Sequence, residues 1–416
     1  MKSKVKFDKN TRLILLCWLV YSCSYIGKLS YSANISQIGA AFDVSYAQAG
    51  MVTTFFFMAY GIGQIVNGLL CKRYNVKYVI FFALLTGSAT NLLVAVVPTF
   101  SALKYLWLIN GAAMSFMWTT LIRLLSETLD SRHVNRAVLA MGTTVATGTV
   151  TVYGLSALFA ATLSFRWTFY VATAVLFAVS LLWLFSYNSL TDIEKSERAE
   201  DGLGESDSAT TTRAFDVSSV SALLVLLAAY AVITNLVKDG LTSWTPDILA
   251  SLYHTPAWLS ILLTLLLPAM AIGGAFLAVR LHARTKNFIA DCTLLFVTGS
   301  ALIGMVIGFL STSLVPLTVA CLAIVSCLMS GINNVITSIV PLYLKDKLNS
   351  GKCAGILNGF CYLGSTVSSY GLGFIADSRG WGAVFTTLLC ASLASALLGA
   401  IYLLITALKR QRRNHV

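Results

Sequence analysis

Charge is the scarcest commodity in this chain. Asp, Glu, Lys and Arg make up 11% of its 416 residues, with 17 acidic against 29 basic. Histidine occurs four times, at 133, 254, 282 and 415, all near loops or the tail. The nine cysteines form no C-x-x-C and stand at metal-ligand spacing from no histidine, so they read as small apolar packing residues. No metal and no cofactor are expected. The chain also lacks a Walker A loop, an H-E-x-x-H, a G-x-S-x-G and a dinucleotide fingerprint. Those absences exclude an ATP-driven pump and the common soluble chemistries. No nucleophile and base fall together in one apolar stretch, and the chain is not expected to be an enzyme.

Apolar sequence is present in excess. Hydrophobic residues make up 57% of the chain and the mean hydropathy is +0.78, far more than a soluble core of this size needs. Runs long enough to cross a bilayer fall at about 12–37, 46–71, 77–98, 102–125, 136–161, 166–186, 217–241, 257–280, 288–310, 315–340, 353–375 and 382–408. The expected fold is an all-α membrane protein of twelve transmembrane helices. The first run starts basic, exceeds a signal-peptide core and lacks a clear small-x-small cleavage site, so it reads as a retained span. With spans alternating in direction, 23 of the 29 Lys and Arg fall on the side of the two termini. By the positive-inside rule both termini are cytoplasmic and the protein is multi-pass in a cell membrane. The net charge of +12 then reflects topology and needs no nucleic acid.

Residues 187–216 carry eight acidic and three basic residues among Ser, Thr, Gly and Ala. Such a segment buries too little apolar surface to fold alone and is expected to be a disordered cytoplasmic linker. It divides the chain into a bundle of six helices at 1–186 and a second at 217–416. Lys28 in the first span and Lys238 in the seventh lie 210 residues apart, and basic loops follow both at a similar offset. Two parallel repeats with a site between them at mid-depth are the expectation for a secondary transporter.

Lys28 lies roughly 24 Å along the first span, with apolar sequence still to come, which is too deep for easy snorkelling. A lysine near the bilayer centre costs on the order of 2.5–3.5 kcal/mol and lines a cavity or meets a counter-charge. The default reading is an anion site. Composition alone leaves Lys238 between two roles, lining the cavity or snorkelling beside Asp239. Apart from Asp239, every acid falls in a loop, a tail or the end of a span, which disfavours cargo that needs a carboxylate. Tyr25, Tyr31, Tyr60, Gln64, Trp118, Asn235, Asn334, Asn358 and Tyr362 are the polar and aromatic candidates nearby. Arg123 and Glu127 stand at i, i+4 spacing for a structural ion pair. Gly304-x-x-x-Gly308 and Gly355-x-x-x-Gly359 read as faces for close helix packing.

Gly68-Leu-Leu-Cys-Lys72-Arg73-Tyr-Asn75-Val-Lys77 resembles the G-x-L-a-D-R-x-G-R-R loop of the major facilitator superfamily. Further stretches are similar to the organophosphate:phosphate antiporter family within it. Tyr25-Ile-Gly-Lys28-Leu-Ser-Tyr-Ser resembles that family's Y-x-x-R-K-x-F-[SA], and Lys238-Asp-Gly240-Leu-Thr-Ser-Trp244-Thr-Pro246 its R-x-G-x-x-x-W-[ST]-P. Trp107-Leu-Ile-Asn110-Gly111 with Trp118 and Arg123 follows its fourth helix. Ala354-Gly355, Phe360, Tyr362-Leu-Gly364 and Gly373-Phe-Ile-Ala-Asp377-Ser-Arg-Gly380-Trp381 follow its eleventh. The resemblance implies two pseudo-symmetric six-helix bundles that exchange a sugar phosphate or glycerol phosphate for phosphate. It assigns the anion to Lys28 and Lys238 and singles out Tyr60 and Gln64, with Tyr25 and Tyr362 beside them. Both family arginines are lysines here, so point charges replace a planar fork. Gln64 stands where some members carry a lysine, and Lys72 stands at the loop aspartate. The runner-up readings are a proton-coupled carboxylate or sugar-acid symporter and a ligand sensor that does not transport. The expected partners are a small anionic substrate and the lipid bilayer, with the protein a monomer.

Overall fold

The computed structural model describes residues 8–70, 73–129, 131–191, 217–310, 312, 314–340 and 350–414. Among these, every regular element is helical. The first half comprises α1 (Lys9–Ala33), the short α2 (Ile35–Phe42), α3 (Tyr46–Leu70), α4 (Val76–Val96), α5 (Phe100–Met114), α6 (Met117–Thr128), α7 (Ser131–Thr162) and α8 (Arg166–Thr191). The second comprises α9 (Val217–Tyr253), α10 (Ala257–Thr264), α11 (Leu266–Thr285), α12 (Phe288–Phe309), α13 (Val315–Asn334) and α14 (Ser350–Asn414). A π-helical turn, Val335–Ile339, continues α13.

Eleven helical stretches are long and apolar enough to cross a bilayer, and one of them, Gly355–Leu408, has 54 residues. At 1.5 Å per residue that is roughly 80 Å, more than twice a hydrocarbon core. It divides at Gly380, whose φ of 76° and ψ of 174° are not helical. Twelve spans result, as the hydropathy pattern predicts.

Several ends and interiors differ from that pattern. The fourth span breaks between α5 and α6 at Ser115-Phe116, and the eighth breaks between α10 and α11 at Leu265. The seventh, expected to stop near 241, continues as helix through Pro246 to Tyr253. Polar Ser243, Thr245 and Asp247 ended the hydropathic run, yet all three are buried against neighbouring helices. This corrects the expectation about acids: Asp247 is 6% exposed inside a span, and its Oδ2 has no hydrogen-bond partner. The expected linker begins with residues that still belong to α8, which runs to Thr191, and its remainder at 192–216 lies outside the described residues.

The two halves are built alike. α1 packs on α7 as α9 packs on α14 before Gly380, and α4 packs on α8 as α12 packs on α14 after it. Close approach is set by matching glycines. A Cβ on Gly111 would lie 2.4 Å from the Phe56 carbonyl oxygen where α5 crosses α3, and one on Gly274 would lie 2.3 Å from that of Cys327 where α11 crosses α13. Gly148 meets the Ser22 carbonyl as Gly364 meets that of Val232. Gly304, Gly308 and Gly355 have open space where a Cβ would go, and Gly359 would make only an ordinary contact. The spacing motifs expected to pack helices are therefore not the ones that do. Spacing creates a small-residue face, but a crossing also needs a backbone opposite it, and none stands there.

The halves meet from mid-depth to the end opposite the termini. There Asp377 accepts hydrogen bonds from the backbone N–H groups of Tyr46 (2.9 Å) and Ala47 (2.7 Å), capping α3 from the other half. Tyr46, Trp244 and Trp381 form an aromatic cluster beside this cap, with centroids 5.1–5.9 Å apart. Thr54 donates to the Thr366 carbonyl at 3.1 Å, and a Cβ on Gly50 would lie 2.0 Å from that of Ser369.

Candidate functional site

Lys28 sits on α1 with 4% exposure, and its Nζ has no hydrogen-bond partner among the described residues. Three tyrosine rings surround the ammonium, with centroids at 4.5 Å (Tyr25), 4.6 Å (Tyr21) and 5.2 Å (Tyr60). Each cation–π contact returns on the order of 1–2 kcal/mol once desolvated, which offsets only part of the cost of taking the ammonium from water. The rest is left for a counter-ion to supply.

The backbone under Lys28 is pinned. Asn91 of α4 and Asn110 of α5 both donate to the Gly27 carbonyl, at 3.1 and 3.0 Å, and Ser30 donates to the Asn91 side chain at 2.6 Å. Gly27 also packs closely, since a Cβ there would lie 2.4 Å from Leu176 Cδ1 and displace that side chain. Two amides from neighbouring helices thereby fix the azimuth of α1 at the residue before the lysine.

The cage continues across to the second half. Tyr60 stacks on Phe56 and lies 4.9 Å from Tyr362 of α14, which also faces Phe57 at 6.5 Å. Trp118 closes the other side against Tyr21 at 4.9 Å. The structure thus brings together Lys28, Tyr25, Tyr60 and Tyr362. Gln64 has a second attachment: its side chain meets Tyr60 of the cage, while its amide N–H donates to the Ser115 carbonyl at 2.9 Å, and Asn67 likewise donates to that of Phe116. Both acceptors lie at the Ser115-Phe116 break between α5 and α6, so each amide ties α3 to that break. Tyr31 points away, donating to the Ala49 carbonyl, and Asn235 donates to Ala231 and Asn333.

Lys238 does not stand as a free cation. Its Nζ lies 3.3 Å from Asp239 Oδ1, both side chains are about a fifth exposed, and Ser365 of α14 donates to Asp239 Oδ2. Ser365 stands one turn from Tyr362 on α14, so the pair lies beside the ring of tyrosines around Lys28. Hydropathy noticed Asp239 without assigning it to the site, and Tyr21 escaped notice for want of a spacing signal. Arg123 and Glu127 form the expected i, i+4 pair at 2.7 Å. Near the termini-bearing end of the second half, buried Asp291 accepts from Thr285 and lies 2.7 Å from His282 Nδ1. Lys72, 210 residues before His282, lies outside the described residues. No group of three or more potential metal ligands occurs among the described residues.

Comparison with known proteins places this geometry. The membrane sensor protein UhpC of Escherichia coli strain K12 is 27% identical over 116 residues, which span 27% of this chain and 26% of that one. The match thus covers about a quarter of that relative's length. A probable hexose phosphate transport protein of Chlamydia pneumoniae is 23% identical across 95% of this chain and 92% of its own. Among solved structures, the nucleoside transporter NupG superposes with a TM-score of 0.72 at 15% identity, covering 96% of this chain and 99% of that one. That likeness is one of fold. A family model described as Major Facilitator Superfamily matches residues 17–347, and the chain belongs to that family.

Proposed function

We propose that this protein moves a small organophosphate anion across the membrane by alternating access, in exchange for phosphate. The observation that carries the reading is the Lys28 ammonium, which is buried at mid-depth, ringed by tyrosines and without a hydrogen-bonding partner among the described residues. At an effective dielectric near 20, a close contact between unit charges is worth roughly 4 kcal/mol before desolvation. An anion entering the cage gains that attraction, and the carrier loses an uncompensated charge. Lys238 contributes from the second half, and Tyr25, Tyr60 and Tyr362 offer hydroxyls and ring faces to the rest of the cargo, with Gln64 at the margin. The similarity to a protein named for hexose phosphate transport supports the substrate class.

The moving units are the bundles at 1–186 and 217–416, joined through 187–216. The packed end opposite the termini faces outward, given cytoplasmic termini and a cell-membrane location. Rocking about mid-depth, where Tyr60 meets Tyr362, exposes the cage to the other side. The functional unit is the monomer, since cage and pair belong to one chain.

The test is exchange of external organophosphate for internal labelled phosphate in proteoliposomes without a proton gradient. Exchange is expected for the wild type and not for Lys28→Ala. Uptake that an uncoupler abolishes supports the proton-coupled reading instead. A second reading, a sensor that binds the same anion without moving it, draws on the similarity to UhpC. Net flux of any anion excludes it.

A further inference from the structure

We propose that Asp239 sets the charge of the cargo, so that the site selects substrates of net charge −1. This deepens the anion-carrier reading and rests on it. Among the described residues, three charged groups lie at the tyrosine ring, Lys28 within it and the Lys238–Asp239 pair tied through Ser365 to the helix of Tyr362, and they sum to +1. Of the three, Lys28 has neither a hydrogen-bond partner nor a carboxylate among the described residues. The Lys238 ammonium is held at 3.3 Å by Asp239, and Ser365 fixes that carboxylate by donating to its second oxygen. Ser365 lies on the helix that also bears Tyr362, so the carboxylate is fixed relative to the far wall of the cage.

A dianion would leave one negative charge uncompensated between the closing halves, at low dielectric, where such charge is most costly. A monoanion balances Lys28 and leaves the Lys238–Asp239 pair intact. A dianion that carries its own ammonium group balances the site as well: the ammonium takes Asp239 and releases Lys238 to the anion. Singly ionised phosphate esters and amino-bearing phosphate esters are therefore the preferred cargo, and multiply charged phosphates are excluded. Asp239 also accepts hydrogen bonds, which suits hydroxyl groups on the cargo.

The experiment measures binding of two esters of one hexose, the 6-sulfate and the 6-phosphate, to the purified full-length protein. The sulfate is singly charged throughout, whereas the phosphate loses its second proton near pH 6. In the wild type the affinity of the phosphate ester relative to the sulfate ester, which shares any change in the charge of the protein, is expected to rise by about fivefold or more from pH 8 to pH 5.5. Asp239→Asn keeps a polar group for Ser365 and leaves the site at +2. It is expected to reverse the order, favouring the phosphate at the higher pH. Lys238→Met combined with Asp239→Asn returns the sum to +1 and is expected to restore the wild-type order. Preference for the dianion in the wild type, or one order in all three proteins, overturns the charge rule alone. Binding of neither ester to the wild type overturns the anion reading itself, and the rule falls with it.

Discussion

A single ammonium among tyrosines carries both the proposed function and a structural liability. Lys28→Met removes a buried charge that lacks a full partner, so the variant is expected to melt at a higher temperature while losing exchange entirely. A fall in both would make Lys28 a structural residue. Asp247 poses the opposite case, a buried carboxylate with an unpartnered oxygen where α9 meets α1 and α2. Ser36 is the polar side chain that faces it, and Tyr31 and Tyr46 feel its charge. Asp247→Asn is expected to stabilise the protein by on the order of 1–3 kcal/mol, read as a rise in melting temperature. Lys28 was legible in the sequence because depth along a span follows from residue count. Asp247 was not, because a window of polar residues looks alike whether it ends a helix or buries one face of it. The pairing of Lys238 escaped for a related reason: adjacent residues on a helix diverge, and only a third group, Ser365, shows which way Asp239 is drawn.

Among the elements, the breaks matter more than the helices. Gly380 separates two spans by adopting φ +76°, and a Cβ there would meet nothing within 4 Å. Only backbone strain opposes substitution. With ψ at 174° the residue lies in a region essentially confined to glycine, outside the left-handed basin that Asn tolerates. Gly380→Ala and Gly380→Asn are therefore each expected to cost about 1–3 kcal/mol and a β-branched residue more, which a thermal-melt series would check. Equal costs across the series would point to a contact instead. The break between α5 and α6 is stabilised differently, by amides of α3 that donate to the carbonyls of Ser115 and Phe116 at the break. Hydropathy located all twelve spans because transfer free energy sums over twenty residues. It missed the break between α5 and α6 because the hydrogen bonds from another helix that satisfy carbonyls there leave no trace in hydropathy.

For the molecule as a whole, the end opposite the termini closes through polar and backbone contacts that are readily reversed. Asp377 caps the first turn of α3 across the two halves, and charge-assisted bonds of this kind contribute about 1.5–3 kcal/mol each. Asp377→Asn is expected to shift the population toward opening at that end. Spin-label distances spanning Tyr46 and Trp381 should lengthen or broaden, with the closed-end aromatic cluster lost in the same fraction of molecules. Unchanged distances would mean that glycine packing at Gly50 and Gly373 holds the end shut without the cap.

By itself the sequence determined the number of spans, their alternation and the depth of Lys28, because each depends on apolar length and charge position summed along one segment. Tertiary structure alone decided which tyrosines cage that lysine, that Gln64 serves a helix break, and that Lys238 answers to Asp239. Those outcomes depend on which helices lie side by side, and the hydrogen bonds and charge pairs of a membrane interior form between segments that are distant in the chain.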